Sequence, residues 1–234
     1  MKALILAAGF GSRLTPITNK CPKSMVPVNG TPILFKQIDN LLDNDITDIT
    51  VICGYLGDLL RNAVERRYPM VKVVESKNYA TTNNMYSAYI ARGEMEGYPF
   101  LMMNADVFFD SSVLKELVKE PLENAIVTDI GNYIEESMKV VETDGRLVEI
   151  SKQIPKEKAF GTSIDVYKFG VQAGRQFFLA CRDYIETKKK YSMWSEIALN
   201  DILKTSEFHA CPLKGRWLEI DNMEDLKAAQ KLFA

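Results

Sequence analysis

Residues 6 to 14 read Leu6-Ala7-Ala8-Gly9-Phe10-Gly11-Ser12-Arg13-Leu14, and the chain continues through Thr18 to Pro22-Lys23-Ser24-Met25-Val26-Pro27-Val28. The apolar run from Ala3 to Ala7 that feeds this stretch reads as a buried strand. Glycines at positions 9 and 11 let the backbone approach a polyphosphate closely and turn its N–H groups toward the oxygens. Arg13 and Lys23 bring positive charge to the same anion. The spacing is not a Walker A loop, which needs Gly-Lys-Ser/Thr. Nor is it a complete G-x-G-x-x-G fingerprint, because Leu14 stands at the third glycine.

Outward from this loop, strand-like and helix-like patterns alternate, the signature of β-α-β units around a largely parallel sheet. Ile33 to Leu42 places Leu34, Ile38, Leu41 and Leu42 on one helical face. A strand follows at Ile49 to Cys53, a helix at Leu56 to Tyr68 stopped by Pro69, and a short strand at Val71 to Val74. Asn83 or Asn84 caps a helix running to about Arg92, and Pro99 to Met103 forms a strand that delivers the chain to Asp106. In open parallel sheets ligands bind beyond the carboxyl ends of the strands, where the loop after Ala7 and the turn at Asp106 both lie. The second half is richer in strands: Ala125 to Ile130, Lys139 to Glu142, Leu147 to Ser151 and Ser163 to Phe169. The Asp144-Gly145 turn marks an antiparallel hairpin, so the sheet is mixed. Helices at Gln172 to Lys188 and Ser195 to Lys204, strands at Phe208 to Cys211 and Trp217 to Ile220, and a helix at Glu224 to Leu232 complete the chain. The expectation is one α/β domain over residues 1–234, with a Rossmann-like, mainly parallel mixed sheet flanked by helices.

The chain has 234 residues, 47% of them hydrophobic, with 29 Lys+Arg against 31 Asp+Glu and a net charge of −2. That balance argues against a nucleic-acid partner, which needs a basic excess or a concentrated basic face. No stretch approaches the roughly 20 apolar residues of a membrane span, so no membrane partner is expected. Cys21, Cys53, Cys181 and Cys211 lack C-x-x-C spacing, which suggests neither a zinc site nor a disulfide framework and points to a reduced, cytoplasmic protein. The lone histidine, His209, lies in an apolar alternation and reads as structural.

Two acidic features stand apart. Asp106 follows the apolar strand ending in Asn104-Ala105. In Trp217-Leu218-Glu219-Ile220-Asp221, Glu219 and Asp221 fall on one side of an extended strand, because side chains alternate with period two. Hard oxygen ligands of this kind suit Mg²⁺, which binds through one or two carboxylates plus substrate phosphates and water.

The whole string Ala-Ala-Gly-x-Gly-Ser-Arg-Leu-x-Pro, then Thr18, then Pro22-Lys23-Ser24-Met25-x-Pro27-Val28 resembles the nucleotidyltransferase family, which moves a nucleoside monophosphate from a nucleoside triphosphate to a phosphate-bearing acceptor. The resemblance implies the nucleotide-diphospho-sugar transferase fold and a triphosphate held by Leu6, Ala7, Ala8, Gly9, Gly11 and Ser12. It further implies that Arg13 and Lys23 are catalytic cations on the phosphates, and that Asp106 and Asp221 bind Mg²⁺ with Glu219 as an additional ligand. The more familiar family form has Gly-Asp where this chain has Ala105-Asp106. Asn83-Asn84-Met85-Tyr86-Ser87 and Gly54-Tyr55-Leu56 resemble the bacterial CTP:phosphocholine cytidylyltransferases, which adds Gly54, Tyr55, Asn83, Asn84 and Ser87 to the expected nucleotide contacts.

The implied activity is a cytosolic, Mg²⁺-dependent cytidylyltransferase acting on small-molecule substrates, with a phosphocholine-like acceptor. A sugar 1-phosphate enzyme using UTP, dTTP or GTP, a cytidylyltransferase for another small phosphate or phosphonate, and a non-catalytic nucleotide-binding regulator are the alternatives. Lys152 reads as a solvent-exposed lysine. Tyr133, Tyr167, Tyr191, Trp194, Glu135, Glu136 and Glu196 receive no role.

Overall fold

The structure, a computed structural model, describes residues 1–119 and 121–234. Strand β1 (Lys2–Ala7) lies inside the sheet, and its side chains alternate between two apolar layers. Ala3, Ile5 and Ala7 enter one layer, Leu4 and Leu6 the other. A strand covered on both faces must be apolar at every position, which is why this run shows no polar alternation. Three single 3₁₀ turns at Ser12–Leu14, Ile17–Asn19 and Lys23–Met25 carry the chain to the small hairpin of β2 (Pro27–Val28) and β3 (Thr31–Pro32). Helix α1 (Ile33–Leu42), β4 (Asp48–Cys53), α2 (Gly57–Arg67), β5 (Lys72–Glu75), α3 (Asn84–Ile90), the short α4 (Arg92–Met95) and β6 (Phe100–Asn104) follow. Strand β1 pairs in parallel with β4 and β6, and β4 with β5.

The second half adds β7 (Val107–Phe109), α5 (Ser112–Lys119), β8 (Ala125–Ile130), β9 (Lys139–Thr143), β10 (Arg146–Ser151) and β11 (Gly161–Phe169). After α6 (Val171–Arg182) come α7 (Ser195–Ile202), β12 (His209–Pro212), β13 (Trp217–Glu219) and α8 (Met223–Leu232). Strand β11 runs antiparallel to β6, β8 and β9, giving a mixed nine-stranded sheet in the order β10-β9-β11-β6-β1-β4-β5, with β8 and β12 joined through β11. Asp144 and Gly145 both take positive φ, 51° and 79°, as the tight β9–β10 hairpin requires. Helices α1, α2 and α5 cover one face of the sheet, and α3, α6 and α7 the other.

The architecture matches the α/β expectation, and the differences are local. Val107 to Lys119, unassigned from sequence, forms β7 and α5, and Val113, Leu114 and Leu117 of α5 fall on one buried helical face. The helix expected to run to Lys188 gives way after Arg182 to a π-helical turn at Asp183–Thr187. Nδ1 of His209 lies 2.7 Å from the Gly145 carbonyl oxygen, at the hairpin rather than in a chemical site. All four cysteines are free thiols. Among the described residues no helix is long and apolar enough to cross a membrane.

A third, smaller apolar cluster positions the site. Leu14, Val26, Val28 and Ile33 from the N-terminal loops pack with Phe108, Ile220, Leu226 and Ala229. Each buried Val, Leu, Ile or Phe of this cluster contributes roughly 1.5–3 kcal/mol. The cluster fastens the glycine loop to β7, β13 and α8, the elements that carry Glu219 and flank Asp106 and Asp221.

Candidate active site

At the carboxyl end of β1 the chain bends through the glycine loop. Gly11 adopts φ 64°, and a Cβ there would stand 2.6 Å from the Lys23 Cβ, so a side chain is excluded both by conformation and by contact. The loop is braced internally by Thr18 Oγ1, which donates to the Gly11 carbonyl at 2.9 Å. From behind, Gly54 approaches so closely that a Cβ would lie 2.7 Å from the Ala8 carbonyl oxygen. The Tyr55 N–H donates to that oxygen, and the Tyr55 ring packs on Phe10 with centroids 4.9 Å apart.

The acidic residues arrive from two distant parts of the chain. Asp106 occupies the turn between β6 and β7, and β13 pairs antiparallel with β7, placing Glu219 opposite Val107. The Ile220 N–H then donates to the Asp106 carbonyl at 2.9 Å. Helix α8 is capped by Asn222 and Asp225, which exchange a reciprocal pair of hydrogen bonds and leave the Asp221 carboxylate free of capping duty. One oxygen each from Asp106, Glu219 and Asp221 comes within 4.8 Å of the others.

Lys23 Nζ lies 2.6 Å from both Asp106 Oδ2 and Asp221 Oδ1, while Arg13 Nη2 lies 2.8 Å from Asp221 Oδ2. Burial acts against the Lys23 charge, but Asp106 and Asp221 outweigh it and raise its pKa above the ordinary lysine value. Burial likewise raises Asp221, and Lys23 and Arg13 more than reverse this, holding it below the ordinary aspartate value. Glu219 lacks such a partner. Burial, then Asp106 and Asp221, push it from 4.5 up to about 7. Asp106 Oδ1 is buried and has no hydrogen-bond partner. An unmatched carboxylate oxygen beside two further carboxylates is a donor set that fits a hard divalent cation.

These groups line one cavity of about 330 Å³. Leu6, Ala7, Ala8, Gly9, Gly11, Ser12, Arg13 and Lys23, from the end of β1, the glycine loop and a turn after it, line it together with Asp106, Glu219 and Asp221. Asn83, Asn84 and Ser87 form another side. Asn83 Oδ1 caps α3 by accepting from the Asn84 N–H at 2.8 Å. Asn84 reaches across to α7, its Oδ1 accepting from the Ser195 N–H at 2.8 Å and its Nδ2 donating to Asn104 Oδ1 at 3.3 Å. Gly54 and Tyr55 are not on the lining; they support the loop from behind.

A family model described as Nucleotidyl transferase matches residues 2–136. The chain belongs to this family. It is 28% identical over 249 residues to the CTP:phosphoglutamine cytidylyltransferase of Campylobacter jejuni, covering 97% of this chain and 98% of that one. It is 36% identical over 138 residues to the choline-phosphate cytidylyltransferase of Streptococcus pneumoniae, covering 59% of this chain and 48% of the relative. The solved structure of the CTP:phosphocholine cytidylyltransferase of Streptococcus pneumoniae superposes with a TM-score of 0.81 at 23% identity, over 100% of this chain and 99% of the other. At that identity the likeness speaks to the fold, which is that of the nucleotide-diphospho-sugar transferases.

The remaining wall of this nucleotidyltransferase's cavity was not assigned from sequence. Ser24, Tyr79, Thr82, Asn104, Met138, Lys152, Asp165, Trp194 and Glu196 all line it. Lys152 is therefore not the solvent-exposed lysine expected: its ammonium stands 5.3 Å over the Trp194 ring. The strand end bearing it is fixed by Lys139, which is fully buried and donates to the Glu135 and Lys152 carbonyls at 2.7 Å each. The available signal was a buried-strand lysine in Lys139-Val140-Val141, a residue type seldom buried without carbonyl or carboxylate partners.

Proposed function

We infer that this nucleotidyltransferase is a Mg²⁺-dependent cytidylyltransferase, transferring CMP from CTP to a small phosphorylated acceptor of the phosphocholine kind and releasing pyrophosphate. The observation that carries the reading is the meeting of Asp106, Glu219 and Asp221 opposite a glycine loop with Lys23 between them. The preference for CTP is supported by the relatives, named as cytidylyltransferases for phosphoglutamine and for choline phosphate.

In the proposed reaction an acceptor phosphate oxygen attacks the α-phosphorus in line. The bond from that phosphorus to the bridging α–β oxygen breaks, and pyrophosphate leaves with the bonding pair. Loop N–H groups from Gly9 to Ser12 hold the triphosphate, and Arg13 and Lys23 neutralise the charge that grows on its oxygens. Asp106, Glu219 and Asp221 would hold Mg²⁺, which supplies Lewis-acid stabilisation of phosphoryl oxygens. No side chain is required as a covalent nucleophile.

The test is pyrophosphate release with CTP, UTP, dTTP and GTP crossed against phosphocholine, phosphoethanolamine, 2-aminoethylphosphonate and glucose 1-phosphate, with and without Mg²⁺. Release confined to CTP, lost on chelation, is the expected result. Release from UTP or dTTP with the sugar phosphate would replace the reading with a sugar 1-phosphate enzyme. Nucleotide binding without release for any pair would replace it with a regulator.

A further inference from the structure

The acceptor wall of the cavity contains two carboxylates with no positive partner. Asp165 sits within β11, where the pairing to β8 shifts register between Ser163 and Tyr167, and takes φ 58°. A bulge of this kind re-aims a side chain, and here the Asp165 carboxylate faces the cavity. Beside it, Glu196 in the first turn of α7 is 2% exposed and lines the same wall. Both are held by neutral donors alone. Tyr167 Oη lies 2.8 Å from Asp165 Oδ1 and 3.1 Å from Glu196 Oε1, and Asn104 Nδ2 donates to Asp165 Oδ2 at 3.0 Å.

Among the described residues no Lys, Arg or His pairs with either carboxylate. The two lysines of the lining are engaged elsewhere, Lys23 between Asp106 and Asp221 and Lys152 over Trp194. Two adjacent buried carboxylates without a cation are costly in a folded protein, and a cavity-facing pair invites a cationic ligand. The Trp194 ring, which already carries the Lys152 ammonium on its face, shows that this wall accommodates positive charge. Burial and the neighbouring Glu196, Glu219 and Asp106 raise the pKa of Asp165, as expected for an acid whose counter-charge is missing.

The kind of cation follows from the donors and acceptors. A trimethylammonium group donates no hydrogen bonds and is held by aromatic cages. The aromatic residues of the lining are Trp194 and Tyr79, and Tyr79 packs on Phe10 at the glycine loop. The wall around Asp165 and Glu196 thus presents carboxylate oxygens and one indole ring. A primary ammonium has three N–H donors for such oxygens. We propose that the acceptor is a small phosphate or phosphonate bearing a primary ammonium group, and that Asp165 and Glu196 hold that ammonium while the phosphate faces Lys23 and the acids. The proposal rests on the cytidylyltransferase reading for the identity of the cavity and narrows its acceptor.

The experiment compares phosphoethanolamine, phosphocholine and ethyl phosphate as acceptors for CTP. It also titrates each calorimetrically into protein saturated with Mg²⁺ and the non-reacting α,β-methylene CTP. Phosphoethanolamine should exceed phosphocholine and ethyl phosphate by about 10- to 100-fold in kcat/KM and in affinity, the range for charged hydrogen bonds. Asp165→Asn should erase most of that advantage by raising the KM for phosphoethanolamine, with the KM for CTP unchanged, and Glu196→Gln serves as the second variant should the first fold poorly. Equal binding of phosphoethanolamine and ethyl phosphate, or preference for phosphocholine, overturns the proposal. Absence of turnover with CTP overturns the cytidylyltransferase reading instead, and titration of the same three compounds into nucleotide-free protein still decides the ammonium question.

Discussion

At the residue scale the site is governed by charge balance. Lys23 joins Asp106 to Asp221 across 2.6 Å contacts on either side and Arg13 adds a second contact to Asp221, which leaves Glu219 as the carboxylate of the three without a paired cation. Asp106→Asn is expected to lower kcat by at least about 100-fold while leaving the melting temperature near that of the wild type, since a ligand charge is lost from a site that is over-acidic. Steady-state kinetics with thermal melting checks this, and near-normal kcat at saturating Mg²⁺ would remove Asp106 from the metal site. Lys23→Ala should reduce kcat more than it raises the KM for CTP, because the ammonium acts on charge that grows in the transition state. A raised KM with unchanged kcat would make Lys23 a substrate-binding residue only. Glu219 bears on pH. Its pKa rises from 4.5 to about 7 on folding, so the folded state holds the extra proton and the metal-free protein should lose stability as pH climbs through that window. Glu219→Gln should flatten the dependence, as measured by urea unfolding between pH 5 and pH 8 in the presence of a chelator.

At the element scale, the turn carrying Asp106 is held from below by α1. Gln37 is fully buried and donates to the Asn104 carbonyl at 2.9 Å and the Val107 carbonyl at 2.8 Å, and Asn40 donates to the Phe109 carbonyl at 2.8 Å. One helix face thus supplies the hydrogen bonds that the irregular β6–β7 backbone cannot make within a sheet. Gln37→Leu leaves two buried carbonyls without donors and should cost about 1–3 kcal/mol. Because the same carbonyls flank Asp106, activity should fall along with stability even though no cavity residue is changed. Chemical unfolding and kinetics on the same variant test the link, and lost stability with intact kcat would show that the turn holds its shape unaided.

At the scale of the whole molecule, β6 connects two kinds of physics. Its carboxyl end delivers Asn104 to the cavity, and its amino end places Phe100 against Phe169 and Phe178 with ring centroids 4.8 and 5.5 Å apart. Helix α6 presses close there, for a Cβ on Gly174 would stand 2.7 Å from the Phe100 ring. Phe100→Ala should destabilise the protein by about 3–5 kcal/mol through lost burial and the cavity left behind. It should leave the KM for CTP unchanged, which separates core from site by pairing calorimetric melting with kinetics.

The sequence by itself determined what depends on neighbours along the chain. The run from Ala3 to Ala7, the glycine loop, the Asp144-Gly145 turn and the helical stripe of Leu34, Ile38 and Leu41 are all local patterns, set by the periods of strand and helix and by the φ that glycine permits. Membership of the nucleotidyl transferase family followed from the loop string, because a phosphate cradle is built from consecutive backbone groups. Tertiary structure alone decided which distant side chains meet. Lys23 and Asp221 touch although 198 residues separate them, because β13 pairs with β7 and a small apolar cluster fastens both to the glycine loop. The wall of Asp165, Glu196, Trp194 and Lys152 was illegible for the same reason. Its residues come from a bulged strand, the start of a helix and a strand end, and no local period relates them. Which buried carboxylate keeps a counter-ion is a property of three-dimensional proximity, since charges interact through distance and not through sequence separation.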